Sequence, residues 1–523
     1  MNTLVLKLAT FTQWRLSWGI AAALVALAAA HFGITMNQAL AVTMSAVILI
    51  IWAHSKPNGL IAALLFFMVK PLFARIAYAI DKSIFGGGGF DLLGIAPALL
   101  LAGLIIWNLY LRISVGEKIL VGRTRMLLLL FCAIAFLSIF NPVNSILVGL
   151  GGFERNILPN LMVLILASFI FKDLLDVKKL IKALLLVGLV SCVYGIGQYF
   201  LGLYPWEKDW ILNVAFKESQ SGWMTMGLRG IEFRVFSIFY HFTEFTFINS
   251  LIFCLAVASR PILSNRWRKV RIWYLVLWFV VLVVTVERMP LVMCLAGLGV
   301  MYYQRSSKSR KRKVIWYSAV TAIVLVIGLK LAEPYLNQTG AYTLIRLAEM
   351  ANPLNAASIG DRMNRMWIPA VKTITSHPLG VGIGQGSHSR AYEFVGKSEY
   401  WVDPHNEILQ KMLETGVVGA IIFLGLLISI FNDGRTLSQS KSEMKTLGIG
   451  FVAGTVGFWL CGTVHVVLNG APGLLYWTVA GVVLSMSEMD QKGEPQLAKN
   501  AAEIADKISS QSCFAGNALE RKK

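Results

Sequence analysis

The residues best placed to do chemistry lie where a long polar segment meets an apolar one, in the run Asp403, Pro404, His405 and Asn406. Histidine is the side chain that most readily exchanges a proton near neutral pH, so His405 is a candidate general base for activating a hydroxyl group. A capping histidine at the start of a helix is the alternative interpretation. The sequence alone leaves both open.

Two arginines are predicted to share a membrane face with this histidine, Arg234 before one apolar run and Arg288 in the turn before another. A guanidinium group offers a planar fork of donors that suits phosphate oxygens. The helix that follows His405 would also direct free backbone N–H groups and its positive dipole end toward an anion. These features predict a phosphate-bearing ligand at the interface, although arginines that snorkel to the membrane surface are the alternative.

Other candidate groups give weaker signals. His241 and Glu244 are three residues apart within an apolar run, which indicates either a functional intramembrane carboxylate or a mutually satisfied structural pair. The four glycines at 86–89 lack the Lys-Ser/Thr of a phosphate loop. His377 and His388 have no metal-like spacing to the candidate base, so we predict neither a metal site nor a cofactor.

These residues must be positioned by a membrane-embedded scaffold. The chain has 523 residues, of which 56% are hydrophobic and 15% charged, and its apolar runs approach the length of about 20 residues that crosses a bilayer. Continuous Leu, Ile, Val and Ala runs lack the alternation of a barrel, so the fold class is all-α, a polytopic transmembrane protein. The net charge of +20 lies in short loops between spans and does not indicate nucleic-acid binding.

The apolar pattern predicts fourteen spans, with twelve as the alternative. They fall near 15–34, 37–53, 58–80, 91–111, 125–142, 156–172, 180–201, 235–258, 271–286, 289–303, 314–332, 406–431, 447–468 and 472–488. The second and third are the weakest, because the second is closely spaced and the third contains Lys70, Pro71 and Arg75.

Charge distribution predicts the orientation. Basic clusters at 260–271 and 305–313 should face the cytoplasm, which places both termini inside and the long loop outside. The chain then divides into an N-terminal transmembrane region (1–332), an extracytoplasmic loop with short helices (333–405), C-terminal transmembrane helices (406–488) and a cytoplasmic, disordered tail (489–523). Within the loop, 361–374 has helical spacing, and the glycines at 377–384 predict turns.

The spacing His405-Asn406, nine residues, Gly416, two residues, Gly419 resembles the signature of the O-antigen ligase and O-antigen polymerase superfamily. Agreeing features are Tyr194 to Phe200, Arg234 with Ser237 and Phe239, Arg288, Arg365, Trp367, Pro378, Gly380, Gly382 and Gly384. The resemblance covers about residues 190 to 420.

The resemblance implies a GT-C-like, metal-independent glycosyltransferase that uses an undecaprenyl-pyrophosphate-linked glycan. Arg234 and Arg288 would bind the pyrophosphate and His405 would activate the acceptor hydroxyl. We assign further substrate-binding roles to Asn406, Arg362, Arg365, Trp367, Glu232 and His241.

The sequence favours a polymerase of O-antigen or exopolysaccharide, because the segments 140–142, 151–156 and 202–206 are more typical of polymerases. The alternatives are a ligase that transfers glycan to lipid A-core or a protein hydroxyl, and a lipid-linked glycan transporter. Expected partners are the lipid-linked donor, the acceptor glycan, membrane lipids and a chain-length regulator or other polysaccharide-assembly protein. The expected location is the bacterial cytoplasmic (inner) membrane, with the site facing the periplasm.

Overall fold

The computed structural model describes residues 36–80, 103–108, 110, 113–114, 122–211, 235–285, 287–307, 310, 327–328, 330–332, 335, 360, 362–386 and 400–492. Within these ranges the chain is almost entirely helical and contains no strand, which confirms the all-α prediction. The predicted span at 15–34, the tail beyond 492, Glu232 and Arg234 lie outside the described residues.

Fourteen α-helices lie in the described ranges. They are α1 (Met36–His54), α2 (Lys56–Ile80), α3 (Arg123–Leu137), α4 (Ile146–Asn156), α5 (Leu158–Ile170), α6 (Leu174–Leu201), α7 (Pro205–Trp210), α8 (Phe242–Ala258), α9 (Asn265–Val284), α10 (Arg288–Arg305), α11 (Ile368–Ser376), α12 (Glu407–Ser438), α13 (Lys445–Gly462) and α14 (Gly470–Lys492). Short turns of 3₁₀-helix follow α3 and α8, and a π-helical turn (Met363–Trp367) leads into α11.

Seven helical segments among the described residues are long and apolar enough to cross a membrane. They are Lys56–Ile76, Arg123–Phe140, Ile146–Ile170, Leu174–Leu201, Glu407–Ser438, Lys445–Gly462 and Gly470–Gln491. The uncertain third span is one of them, and its helix continues through Pro71. The total of twelve to fourteen spans remains a prediction, because several of those spans fall partly or wholly outside the described ranges.

Helix α13 lies at the centre of an antiparallel arrangement. Gly457 of α13 packs against Met293 of α10, and further along the pair Gly297 of α10 packs against Ala453. On another side of α13, Gly450 and Gly454 pack against α8. The starts of α8 and α10 therefore lie at the end of the bundle where α13 finishes.

The same end gathers other helix termini. Asn406, just before α12, donates a hydrogen bond to the carbonyl of Thr463, just after α13. Gly195, near the end of α6, packs against Phe245 near the start of α8. We call this end of the bundle the mouth. The opposite end carries the basic connections, including Arg260, Arg266, Arg268, Lys269, Arg305, Arg435, Lys441 and Lys445.

One predicted span boundary is wrong. The apolar pattern predicts the eighth span at 235–258, with His241 inside it. In the structure α8 begins at Phe242, and His241 is its N-cap. Residues 235–239 are instead irregular and fully buried, and Ser237 has a left-handed φ of 55°. The apolar character of this segment reflects its burial against α6, where the Ser237 N–H donates to Gln198.

The expected helix and turns of the long loop are both confirmed. The π-helical turn and α11 cover 363–376, and the glycine-rich turn after them contains Gly380, Gly382 and Gly384, each with a positive φ. This turn docks on α12, since Val381 N–H donates to Leu413 and Val417 N–H donates to Pro378.

Candidate active site at the mouth

His405 is held by a carboxylate. Oδ1 of Asp403 lies 2.8 Å from Nδ1 of His405 and also accepts the His405 backbone N–H at 3.2 Å. An ionised carboxylate only accepts hydrogen bonds, so Nδ1 carries the proton and Nε2 is the basic nitrogen. The backbone of His405 is left-handed, with φ 43°, a region that few non-glycine residues adopt, although histidine does so more often than most. The pair is thus built to present Nε2 at the mouth.

Asn406 begins the helix that follows. Its Oδ1 accepts the backbone N–H groups of Ile408 and Leu409, both at 3.0 Å, which is the standard N-cap arrangement. Its Nδ2 donates to Thr463 at 2.8 Å. The carboxamide therefore fixes α12 to the end of α13, and substrate binding by Asn406 stays a prediction.

A second imidazole lies beside the first. The ring centroid of His465 is 6.3 Å from that of His405, with the planes inclined by 28°. Nη2 of Arg362 lies 3.4 Å from Nε2 of His465, and the ring of Phe247 meets His465 edge-on at 5.4 Å. Arg362, which is predicted to bind substrate, therefore lies at the mouth in contact with His465. The sequence motifs did not identify this histidine.

A buried acid and base lie directly beneath the two histidines. Oε2 of Glu407 accepts the backbone N–H groups of Val467 and Leu468 at 2.9 and 3.0 Å. Nζ of Lys411 lies 3.5 Å from the other Glu407 oxygen, and both side chains are almost completely buried. An acid and a base four residues apart at the start of a long apolar span are unusual, so this pair could have been found from the sequence.

This pair lines a small internal cavity. Its polar walls include Asn156 and Asn160 from the α4–α5 segment and Asn469 from the turn before α14. Lys411 also reaches Asn469 at 3.4 Å. The cavity below the mouth therefore has a few amide and charged groups set among apolar walls.

Arg288 lies at the mouth because α10 begins there and runs antiparallel to α13. It is the first residue of that helix and is half-buried. Met293 of α10 packs against Gly457 near the end of α13. Asn406, next to His405, is hydrogen-bonded to Thr463 at the same end of α13. Arg288 and His405 therefore belong to one end of the bundle.

The other predicted residues of the long loop lie on the π-helical turn that follows Arg362. Arg365 is exposed, and Trp367 is half-buried. The indole N–H of Trp367 is buried and has no hydrogen-bond partner within the described residues. Their roles in substrate binding stay predictions.

His241 lies at the mouth but in a capping position. Its Nδ1 accepts the backbone N–H of Thr243 at 3.3 Å and lies 2.7 Å from the threonine hydroxyl. Glu244, in the first turn of α8, accepts the N–H of Tyr240 and interacts electrostatically with Arg155. The Glu244 carboxylate also accepts a hydrogen bond from the backbone of His241, so the two residues are joined locally at the start of α8. A role of His241 in substrate binding stays a prediction.

The segment that follows Glu232 and Arg234 is anchored by a buried ion pair. Nη1 of Arg75 lies 2.7 Å from Oε1 of Glu207, with neither side chain exposed, and Nη2 of Arg75 donates to the carbonyl of Ser237 at 2.8 Å. Glu207 also accepts from Tyr194, Gln198 and the backbone of Tyr204. Residues 235–239 are therefore held in place beside the end of α6.

The two glycines of the His-Asn-Gly-Gly pattern have packing roles. Gly416 interrupts α12 with φ 74° and ψ 176°, and a Cβ there would lie 2.6 Å from the carbonyl carbon of Leu379. At Gly419 a Cβ would meet Thr415 and Ile134. The absence of a side chain at Gly416 thus allows the glycine-rich turn to pack against the backbone of α12.

Within the described residues, no three His, Cys, Asp or Glu side chains are grouped as a metal site would require. The fold and the mouth together define a polytopic all-α membrane protein with a polar site at one end of its bundle.

Residues 273–424 match the family model described as O-antigen ligase. The match supports the resemblance to the O-antigen ligase and polymerase superfamily that the motifs of the sequence indicate. The match includes Arg288, Arg362, Asp403 and His405. The chain gives no match among curated proteins.

Proposed function

We propose that this protein transfers a glycan from undecaprenyl pyrophosphate to a hydroxyl group of a second lipid-linked glycan, and so polymerises repeat units of O-antigen or exopolysaccharide. The observation that carries the proposal is the Asp403–His405 pair at the start of α12, inside the region that matches the O-antigen ligase family. A carboxylate-oriented imidazole is a suitable base for a sugar hydroxyl.

The reaction assigns a role to each group. The acceptor hydroxyl gives its proton to Nε2 of His405, and its oxygen forms a bond to the anomeric carbon of the donor sugar. The bond from that carbon to the pyrophosphate oxygen breaks, and its electron pair leaves with the pyrophosphate. Asp403 stabilises the imidazolium that forms, as a carboxylate does in a hydrolase triad.

The departing pyrophosphate gains negative charge in the transition state. Arg288 lies at the mouth and offers the fixed cation that such a leaving group requires. Arg234 would provide the second. Support for its placement comes from the buried anchoring of Val235 to Phe239, which directly follow it.

Ligation is the second candidate, because the matching family model is described as O-antigen ligase. Both reactions use the same donor and the same bond changes. They differ in whether the acceptor is a lipid-linked glycan or lipid A-core.

A single assay separates the candidates. The purified protein is incubated with undecaprenyl-pyrophosphate glycan, with and without lipid A-core, and the products are resolved by size. A ladder on the lipid carrier supports polymerisation, and one-step transfer to lipid A-core supports ligation. His405→Ala should lower the rate of formation of either product by at least about 100-fold, whereas substitution of His54, an exposed histidine at the far end of α1, by Ala should not. Transport of glycan across a sealed bilayer with no new glycosidic bond would contradict the proposal.

We also propose that the mouth faces the periplasm, since the basic connections lie at the opposite end. The exposed residues Thr463 and Lys441 mark the two ends. In intact cells an impermeant maleimide should label Thr463→Cys, and Lys441→Cys should be labelled only after permeabilisation, with the unsubstituted protein as the background control. The reverse pattern would contradict this orientation.

A further inference from the structure

His465 is a mouth residue to which no motif assigns a role. It lies in the seven-residue turn between α13 and α14, half-exposed, with its ring 6.3 Å from that of His405. The two imidazoles come from segments 60 residues apart and are brought together by the packing of α12 against α13 and α14.

The turn that carries His465 is unusually well held. Glu407 accepts its Val467 and Leu468 N–H groups, and Asn406 donates to Thr463. The carbonyl of Leu468 accepts from Asn160 at 3.2 Å and from the indole of Trp477 at 3.1 Å. Loops between spans usually lie at the surface, where water satisfies their backbone groups. The hydrogen bonds from this turn to the buried carboxylate of Glu407 are therefore unusual. The position of His465 is therefore determined by the fold.

The two histidines have opposite neighbours. His405 faces a carboxylate, whereas Nε2 of His465 faces the guanidinium of Arg362. Since a guanidinium group only donates, Nε2 of His465 is the acceptor and bears no proton. His465 is therefore an uncharged ring with polar edges, flanked by the ring of Phe247 in an edge-to-face arrangement and by the guanidinium group of Arg362.

We propose that His465 binds the acceptor sugar and, together with Arg362, forms the acceptor subsite next to His405. This inference rests on the proposed glycan transfer. A base must lie within hydrogen-bond distance of the hydroxyl that it deprotonates, so the rest of that sugar ring lies within a few ångströms of His405. The ring of His465, whose centroid is 6.3 Å from that of His405, lies in this region. Small-molecule sites commonly orient their ligands with aromatic side chains and a few well-placed polar groups.

The proposal separates acceptor binding from donor binding, and two-substrate kinetics tests it. Fluorescent undecaprenyl-pyrophosphate glycan is the donor, and the acceptor probe is either the octyl glycoside of the same repeat unit or lipid A-core, whichever the wild type elongates. His465→Ala should raise the acceptor KM about tenfold, the usual effect of one lost hydrogen bond, and leave the donor KM within about twofold. His465→Gln, which keeps a polar edge, should recover part of the loss.

The outcomes are distinguishable. An unchanged acceptor KM for His465→Ala overturns the subsite while the proposed function stands. Equal changes in both KM values together with a lowered Tm overturn it as well, because they indicate a structural role. A donor KM that rises alone assigns His465 to the diphosphate and contradicts the proposal. If the wild type forms no product with either acceptor, the proposed function fails and the subsite with it. His54→Ala is the matched control and should leave both constants unchanged.

Discussion

Replacing Asp403 with Asn isolates the contribution of the carboxylate charge to catalysis. Because Oδ1 of Asp403 also accepts the His405 backbone N–H, the amide of the variant should keep its oxygen toward both donors, so the ring and its tautomer are retained while the charge is lost. The two atoms are 2.8 Å apart, and the side chains of His405 and Asp403 are 35% and 19% exposed. The environment is therefore partly screened by solvent.

The expected loss follows from this geometry. A hydrogen bond to an ionised group contributes about 1.5–3 kcal/mol, and partial exposure places this pair in the lower part of that range, about 1.5–2 kcal/mol. At about 1.4 kcal/mol for each factor of ten in rate, kcat should fall about 10- to 30-fold for Asp403→Asn. His405→Ala removes the base itself and should cost about 10²- to 10⁴-fold.

The assay is the initial rate of glycan transfer at saturating donor, measured for both single variants and the double variant. Because Asp403 acts through His405, the double variant should be no slower than His405→Ala alone. Far-UV circular dichroism and Tm in detergent check that each variant is folded. A rate for Asp403→Asn within twofold of the wild type, or additive losses in the double variant, would refute the proposed coupling.

Arg288→Ala should lower kcat about 10²- to 10³-fold with an unchanged Tm, since it removes a cation needed in the transition state, and Arg288→Lys should recover part of the rate. Steady-state kinetics beside a thermal melt checks both effects. Glu207→Gln should destabilise the protein by about 3–5 kcal/mol, because Arg75 would be left as a buried charge without its carboxylate, and the loss should appear as a lowered Tm. Gly416→Ala should cost about 1–3 kcal/mol through its φ of 74° and its close backbone contact, and should also reduce activity. Gly425→Ala is its control in the same helix, where a Cβ would meet only a leucine side chain at 3.8 Å or more.

Each of these expectations has a contradicting result. An Arg288→Ala variant with wild-type kcat would remove this arginine from the transition state. A Glu207→Gln variant with an unchanged Tm would mean that Arg75 finds compensation elsewhere. Equal effects of the two glycine substitutions would show that the kink at Gly416 is not the cause of the loss, since helix propensity by itself favours alanine over glycine.

Local features of the mouth could be predicted from the sequence. The contact of Asp403 with His405 joins residues two apart, and the Asn406 cap needs only the helix that follows it. The spans could also be predicted from local sequence, because a long continuous apolar run by itself indicates a helix in the membrane. Residues 235–239 show the limit of this reasoning, because apolar residues indicate burial and do not specify a helix.

Long-range contacts could not be predicted. Arg75 and Glu207 are 132 residues apart, and their pairing depends on how α2 and α7 meet. His465 has no motif around it, and only the packing of α12 and α13 brings it beside His405. Gly416 was visible as part of a pattern, but its non-helical backbone follows from the docking of a turn more than 30 residues upstream.

The glycines of α13 have a consequence for the lipid carrier. Because Gly450, Gly454 and Gly457 let α8 and α10 approach the backbone of α13 directly, these three helices leave no gap between them. In the proposed reaction the isoprenoid tail of the donor would therefore not enter this seam. It would approach along an outward flank of the bundle, and α6 and α9 offer one, with Val190 and Phe279 more than half exposed.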